Sequence, residues 1–389
     1  MTFEQVKSQD QAYILHTYGR VDAALVKGRN ARAWDVDGKE YIDFTAGIGV
    51  NALGYCDPEW SAAVAGQAGK IQHMCNYYYC PENTALAQEL SQASGMAKAF
   101  FCNSGAEANE CAVKIARKYG EKRGAYRIVT LENSFHGRTL TTLAATGQEG
   151  FHREFLPLTE GFLYAQAGDL AGIQALLDGS VCAVMLEMVQ GEGGVIPMDE
   201  GFVKGLAQLC REKDVLLLID EVQTGIGRTG TLFAFQQYGI RPDAVSFAKG
   251  IAGGLPMGGF LVNEKCRPVL GPGSHASTFG GNPVCSAAAL AVLDILDEAA
   301  LNRVREKGIY LREHIEAMGK QCLGATRGLG LMIGVEVRPG WSSRELAARL
   351  AGHGLLVLTA GPALRLLPPL TITKGEMDQG LAILDRGLE

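Results

Sequence analysis

Apolar residues in this chain come in short unbroken blocks, each closed by a polar or charged residue. The run Val215, Leu216, Leu217, Leu218, Ile219 stops at Asp220 and Glu221, and Ala244, Val245, Ser246, Phe247, Ala248 stops at Lys249, ahead of Gly250 and Gly253-Gly254. Blocks of this length without alternation predict parallel strands covered on both faces. Further strands are expected at 97–102, 127–131 and 181–187, with helices at 106–119 and 202–213. Strands alternating with helices predict an α/β fold around a doubly wound, mostly parallel sheet. After Gly280-Gly281-Asn282-Pro283 the pattern lengthens into a helical region, 284–319, followed by short strands at 331–337 and 355–358, a smaller α/β lobe. Near the other end, Asp37-Gly38 between alternating apolar positions predicts a hairpin. The expected division is 1–50 as an N-terminal segment of the small domain, 51–282 as the large domain and 283–389 as the C-terminal small domain.

In an open α/β sheet, ligands bind at the carboxyl ends of the strands, where Asp220 and Lys249 both fall. A lysine amine condenses with an aldehyde cofactor, and partial desolvation favours the neutral amine that attacks. A carboxylate against a pyridine nitrogen keeps such a ring protonated and able to accept electrons. The pair therefore points to pyridoxal phosphate chemistry. Taken singly, each residue has a plainer reading, a solvated lysine and the polar start of a loop.

Composition narrows the alternatives. A chain of 389 residues, 47% hydrophobic and 20% charged, is long enough for two domains and a large core. Its net charge of -6 and its dispersed basic residues argue against a nucleic-acid partner. The N-terminus lacks a basic start followed by an apolar core, and no apolar run reaches membrane-spanning length, so a cytoplasmic location is expected. The ten cysteines lie singly with no CxxC pair, which suits small buried hydrophobes in a reducing compartment. His73, Cys75 and Cys80 match no standard zinc spacing, and no metal is expected.

The strand ending at Cys102 runs through Asn103-Ser104-Gly105-Ala106-Glu107 into a helix, so Ser104, Gly105 and Ala106 offer backbone N–H groups to a phosphate. The same residues also read as a simple capping box, Ser104 with Glu107.

Seven ordered motifs, NSGAEANE, ENSFHGRT, QGEGG, LLLIDEVQTGIGRTG, FAKGIAGGLPMGG, HASTFGGNP and LRLLPPLT, resemble the class III, fold type I pyridoxal phosphate-dependent aminotransferases. The resemblance runs from about Tyr18 to the C-terminus. It implies pyridoxal 5'-phosphate as cofactor, a large domain with a mostly parallel sheet, and a small α/β domain built from both termini. It also implies a homodimer with a shared active site. Lys249 matches the Schiff-base lysine, Asp220 the partner of the pyridine nitrogen, and Gln223 the contact to the phenolic oxygen, with Glu221 and Val222 beside them. Ser104, Gly105 and Ala106 match the phosphate loop, although some relatives carry threonine where Ala106 stands. Thr278 matches a hydroxyl given to the neighbouring subunit's phosphate, and Phe135 the ring stacked on the pyridine face.

Arg138 matches the clamp for a substrate carboxylate, whose planar fork suits that anion better than lysine. A surface salt bridge is its alternative reading. Arg365 is a charge inside apolar sequence that demands a partner, and Glu192 is the expected one. The resemblance implies a gate in which Arg365 receives the carboxylate of glutamate or 2-oxoglutarate and returns to Glu192 for other donors; a static ion pair is the alternative. Ser277 matches a substrate contact. Within the family the motifs lie nearest to members that transfer the terminal amine of N2-acetyl-L-ornithine to 2-oxoglutarate in arginine synthesis, with succinyldiaminopimelate as a second donor. Ornithine, succinylornithine or 4-aminobutyrate as donor, an aminomutase, and a relative without turnover are the alternatives. Arg138, Glu192 and Arg365 together argue against an aminomutase, and intact Lys249 and Asp220 against loss of turnover.

Overall fold

The computed structural model describes residues Met1–Glu389. Its centre is a seven-stranded sheet in the order Lys98–Cys102, Gly258–Val262, Ala244–Phe247, Leu216–Asp220, Val181–Glu187, Arg127–Leu131, Phe162–Ala165. Only Gly258–Val262 runs antiparallel to its neighbours. Every residue of Val181–Glu187 and Leu216–Asp220 is buried, as expected of strands covered on both faces.

Successive side chains of one strand feed opposite layers. Leu217 and Ile219 join a core cluster of 66 buried residues, whereas Leu216 and Leu218 join a separate cluster of 15. Helix Gly105–Gly120 supplies Cys111, Ala112 and Ile115 to the smaller layer, and helix Glu200–Lys213 supplies Phe202, Val203 and Leu206 to the larger. The sheet is doubly wound, and its parallel carboxyl ends open on one edge.

The 37–38 hairpin forms between Arg32–Asp35 and Glu40–Asp43, with Gly38 at φ 86° and the Asp35 carboxylate accepting the N–H groups of Asp37 and Lys39. Strand Glu40–Asp43 then pairs in parallel with Leu355–Leu356, so early and late segments share one sheet. Asn30 reinforces the closure, its amide donating to the Glu376 carboxylate 346 residues away at 2.6 Å.

Three details depart from expectation. The region 284–319 is two helices, Pro283–Ile295 and Glu298–Ala317, because Asp297 caps the second by accepting the Ala300 N–H. The strand expected at 355–358 divides between sheets, Leu355–Leu356 beside Glu40–Asp43 and Leu358–Ala360 beside Ala363–Leu366. Strand Leu323–Leu329, with two glycines and two polar residues, was not foreseen.

Candidate active site

Adjacent strand ends build the site. Asp220 closes Leu216–Asp220 and stands beside Glu187 at the end of Val181–Glu187, and Lys249 follows strand Ala244–Phe247. Lys249 has φ 47°, a left-handed conformation that non-glycine residues adopt at a cost of about 1–3 kcal/mol, and such residues cluster at active sites. All three line a cavity of about 380 Å³ together with Gly105, Phe135 and Gln223. Burial pushes the Lys249 amine below the ordinary lysine range, against the opposing charges of Asp220 and Glu192. A neutral amine is thereby favoured where a nucleophile or base is needed.

Three donors converge on Asp220. Oδ2 accepts from Asn109 Nδ2 and His136 Nδ1, both at 2.8 Å, and Oδ1 accepts the Val222 N–H at 2.9 Å. Burial works to lower the pKa of His136, but the hydrogen bond and charge of Asp220, helped by Glu187, hold it above the ordinary histidine value. The buried imidazole and the buried carboxylate thus support each other, and the aspartate has one fixed orientation.

The N-terminus of helix Gly105–Gly120 faces the same cavity, with Ser104, Gly105 and Ala106 in its lining. Its free N–H groups and its dipole suit an anion. Ser104 is also the cap: its hydroxyl accepts the Glu107 N–H, while the Glu107 carboxylate reaches back to the Asn103 N–H. Ser104 is thus a side-chain N-cap, but the box expected from sequence is displaced, because the Glu107 carboxylate takes the N–H of Asn103 rather than that of Ser104. Gly105 leaves no room for a side chain, since a Cβ there would lie 2.6 Å from Val222 Cγ1.

Phe135 lines the cavity and meets Phe151 edge-on at 5.8 Å. The guanidinium of Arg138 lies over both rings, 4.4 Å from the centroid of Phe151 and 5.5 Å from that of Phe135. Held by π-faces rather than by a carboxylate, it is free to take a carboxylate from solution. The salt bridge that was its alternative reading does not form.

Arg365 is the opposite case. It is only 3% exposed, and its Nη1 donates to Glu192 Oε1 at 2.6 Å and to Gln223 Oε1 at 3.0 Å. The partner expected from sequence is the one observed. Arg365 is not itself in the cavity wall; it stands behind Gln223, which is.

Other expected residues fall elsewhere. Glu221 does not face the cavity: it accepts from Thr224 Oγ1 and from the Ala234 and Phe235 N–H groups, because neighbours at a strand end point to opposite sides. Ser277 accepts from Asn103 Nδ2 and the Gly280 N–H, which places it at the cavity margin. Thr278 is exposed and outside this cavity. Sequence reasoning missed Asn109, His136 and Glu187. The first two sit inside the NSGAEANE and FHGR motifs, and a polar residue within a recurring motif was the available signal.

The residues fit pyridoxal phosphate by their own chemistry. The cavity combines a desolvated amine, a carboxylate fixed by three donors, an aromatic face and a helix N-terminus, one for each part of that molecule.

Residues 13–388 match the class-III aminotransferase family. An acetylornithine aminotransferase from Haemophilus ducreyi is 47% identical over 388 residues, spanning 99% of this chain and 98% of that protein. Among solved structures, an N-acetylornithine aminotransferase from Stenotrophomonas maltophilia is 36% identical with a TM-score of 0.84, covering 98% of this chain and 97% of the other. An ornithine aminotransferase from Toxoplasma gondii is 31% identical with a TM-score of 0.95, covering 100% and 95%. The chain belongs to the class-III aminotransferases and is a pyridoxal phosphate-dependent enzyme of that family.

Proposed function

We propose that the protein transfers the terminal amine of N2-acetyl-L-ornithine to 2-oxoglutarate, giving N-acetyl-L-glutamate 5-semialdehyde and L-glutamate, in arginine synthesis. The observation that carries this reading is the contrast between two guanidiniums, Arg138 without a carboxylate partner and Arg365 paired with Glu192 at 2.6 Å. A donor with one distant carboxylate needs only Arg138. A dicarboxylate acceptor needs both, and swinging Glu192 aside exposes the second.

When bound, the cofactor supplies an aldehyde that bonds covalently to amines and a protonated ring that takes up the electron pair left at a deprotonated carbon. The chain's residues do the rest. Lys249 Nζ, its charge disfavoured by burial, removes the proton from the carbon that bears the substrate amine. Asp220, held by Asn109, His136 and the Val222 N–H, would be the carboxylate that pairs with the ring nitrogen and keeps it protonated. Ser104, Gly105 and Ala106 would hold the phosphate, Phe135 would pack against the ring, and Gln223 would hydrogen-bond the phenolic oxygen. Arg138 orients the donor so that its terminal amine, rather than its carboxylate, meets Lys249.

The exposure of Thr278 supports a homodimer in which that hydroxyl completes the neighbour's phosphate site. The pairing of Glu40–Asp43 with Leu355–Leu356 supports the division into 1–50 and 283–389 as one small domain around a large domain, 51–282. No helix is long and apolar enough to cross a membrane.

The test is a donor panel with 2-oxoglutarate, measuring glutamate formed from acetylornithine, succinyldiaminopimelate, ornithine and 4-aminobutyrate. Acetylornithine is expected to give the highest kcat/KM. Preference for 4-aminobutyrate or free ornithine overturns the assignment.

A further inference from the structure

We infer that Glu187 is a positioning residue: one buried carboxylate ties the loop bearing Phe135 and Arg138 to the loop bearing Glu192, keeping the two carboxylate-reading groups in register. This rests on the roles given above to Arg138, Glu192 and Arg365.

Glu187 is the last residue of strand Val181–Glu187 and is 4% exposed. Its two oxygens diverge. Oε1 accepts the Phe135 N–H at 2.9 Å, and Oε2 accepts the Gly191 N–H at 3.2 Å. Arg138 lies three residues beyond the first donor and Glu192 one residue beyond the second. No lysine or arginine pairs with Glu187, so its hydrogen bonds join backbone to backbone across two loops.

The 133–138 loop has further anchors, with Asn109 donating to the His136 carbonyl and Thr146 Oγ1 accepting the His136 N–H, whereas the loop bearing Glu192 has fewer. The 190–196 turn is closed only by the two-residue strands Val189–Gln190 and Ile196–Pro197, with Arg327 holding the Gly194 carbonyl and Gln190 the Glu132 carbonyl. Gly191 comes so close to the Gln223 amide that a Cβ would lie 2.5 Å from it, and Gln223 in turn accepts from Arg365. A shift of Gly191 therefore moves Glu192 and disturbs Gln223 and Arg365 together. Burying a carboxylate beside Asp220 is costly, and burial lifts the Glu187 pKa to about 7 despite the nearby charge of His136. An amide filling the same space has one acceptor oxygen and satisfies only one of the two N–H groups.

The experiment compares wild-type holoenzyme with Glu187→Gln and Glu187→Asp, the first losing one acceptor and the second the reach to span both loops. Hydrogen exchange read by mass spectrometry should speed up about tenfold in peptides covering both 133–138 and 189–194, with Leu216–Asp220 unchanged. In steady state, KM for the amino donor and KM for 2-oxoglutarate should rise together by a larger factor than kcat falls. Faster exchange in only one loop, or a lower Tm with both KM values unmoved, overturns the inference. Failure of both variants to fold also overturns it, marking Glu187 as purely structural. If the wild type does not transaminate the donor panel, the proposed substrate fails, while the exchange result still decides whether one carboxylate joins the loops.

Discussion

Replacing Arg365 by methionine keeps the apolar stem within strand Ala363–Leu366 and deletes the guanidinium. In the resting protein the loss leaves Glu192 without its cation, but the Glu192 side chain is 28% exposed and recovers hydration, so stability should fall by only about 1–2 kcal/mol. The catalytic consequence should depend on the substrate. With glutamate, Arg365 exchanges Glu192 for the substrate's distal carboxylate, and losing a charge-assisted contact of that kind removes about 3 kcal/mol from kcat/KM, roughly 150-fold. With acetylornithine the Arg365–Glu192 pair is never exchanged, and kcat/KM should change by no more than about threefold. Single-turnover absorbance of the cofactor with each substrate separately reads the two numbers directly. Equal losses with both substrates would refute the exchange and leave a static ion pair that only braces the strand.

Other perturbations probe other parts of the site. Lys249→Ala should lower kcat by at least about 10²-fold, and borohydride reduction of the wild type followed by peptide mapping should place the adduct on Lys249 and nowhere else. Gly105→Ala puts a methyl 2.6 Å from Val222 Cγ1, which should weaken cofactor affinity by about 1–3 kcal/mol, read as quenching of protein fluorescence on titrating the apoenzyme. Glu221 has its pKa raised by burial to about 7 from an ordinary 4.5. The folded state then holds a proton that the unfolded state has released, so between these two values the group's contribution to stability falls as pH rises, at up to about 1.4 kcal/mol per pH unit. The unfolding free energy of the wild type minus that of Glu221→Gln, measured in urea, should fall over this window and level off above it; a difference that rises with pH would contradict the burial argument.

Much of the fold was legible because the central strands are covered on both sides. Arg127–Leu131 and Val181–Glu187 begin and end where sequence reading placed them, since an apolar block bounded by polar residues leaves little freedom. Legibility failed where tertiary pairing decides. Nothing local in Leu355 to Leu358 says that Leu356 and Leu358 belong to different sheets. At the site, Asp220 and Lys249 could be read because each closes such a block. Glu221 was misread as their companion because adjacency in sequence is opposition across a strand. Asn109 and His136 took their roles from a carboxylate 111 and 84 residues away, a distance that no local pattern spans.

The union of Glu40–Asp43 with Leu355–Leu356 bears on how the molecule is made. A ribosome releases the early strand long before the late one, so during synthesis one edge of the 32–43 hairpin stays open to any passing extended peptide. Contacts of such sequence separation also slow the search for the native arrangement. Truncation a few dozen residues short of the end should therefore do more than trim a lobe: it would leave a sticky ribbon at the opposite terminus, and insoluble nascent chains would be the visible sign.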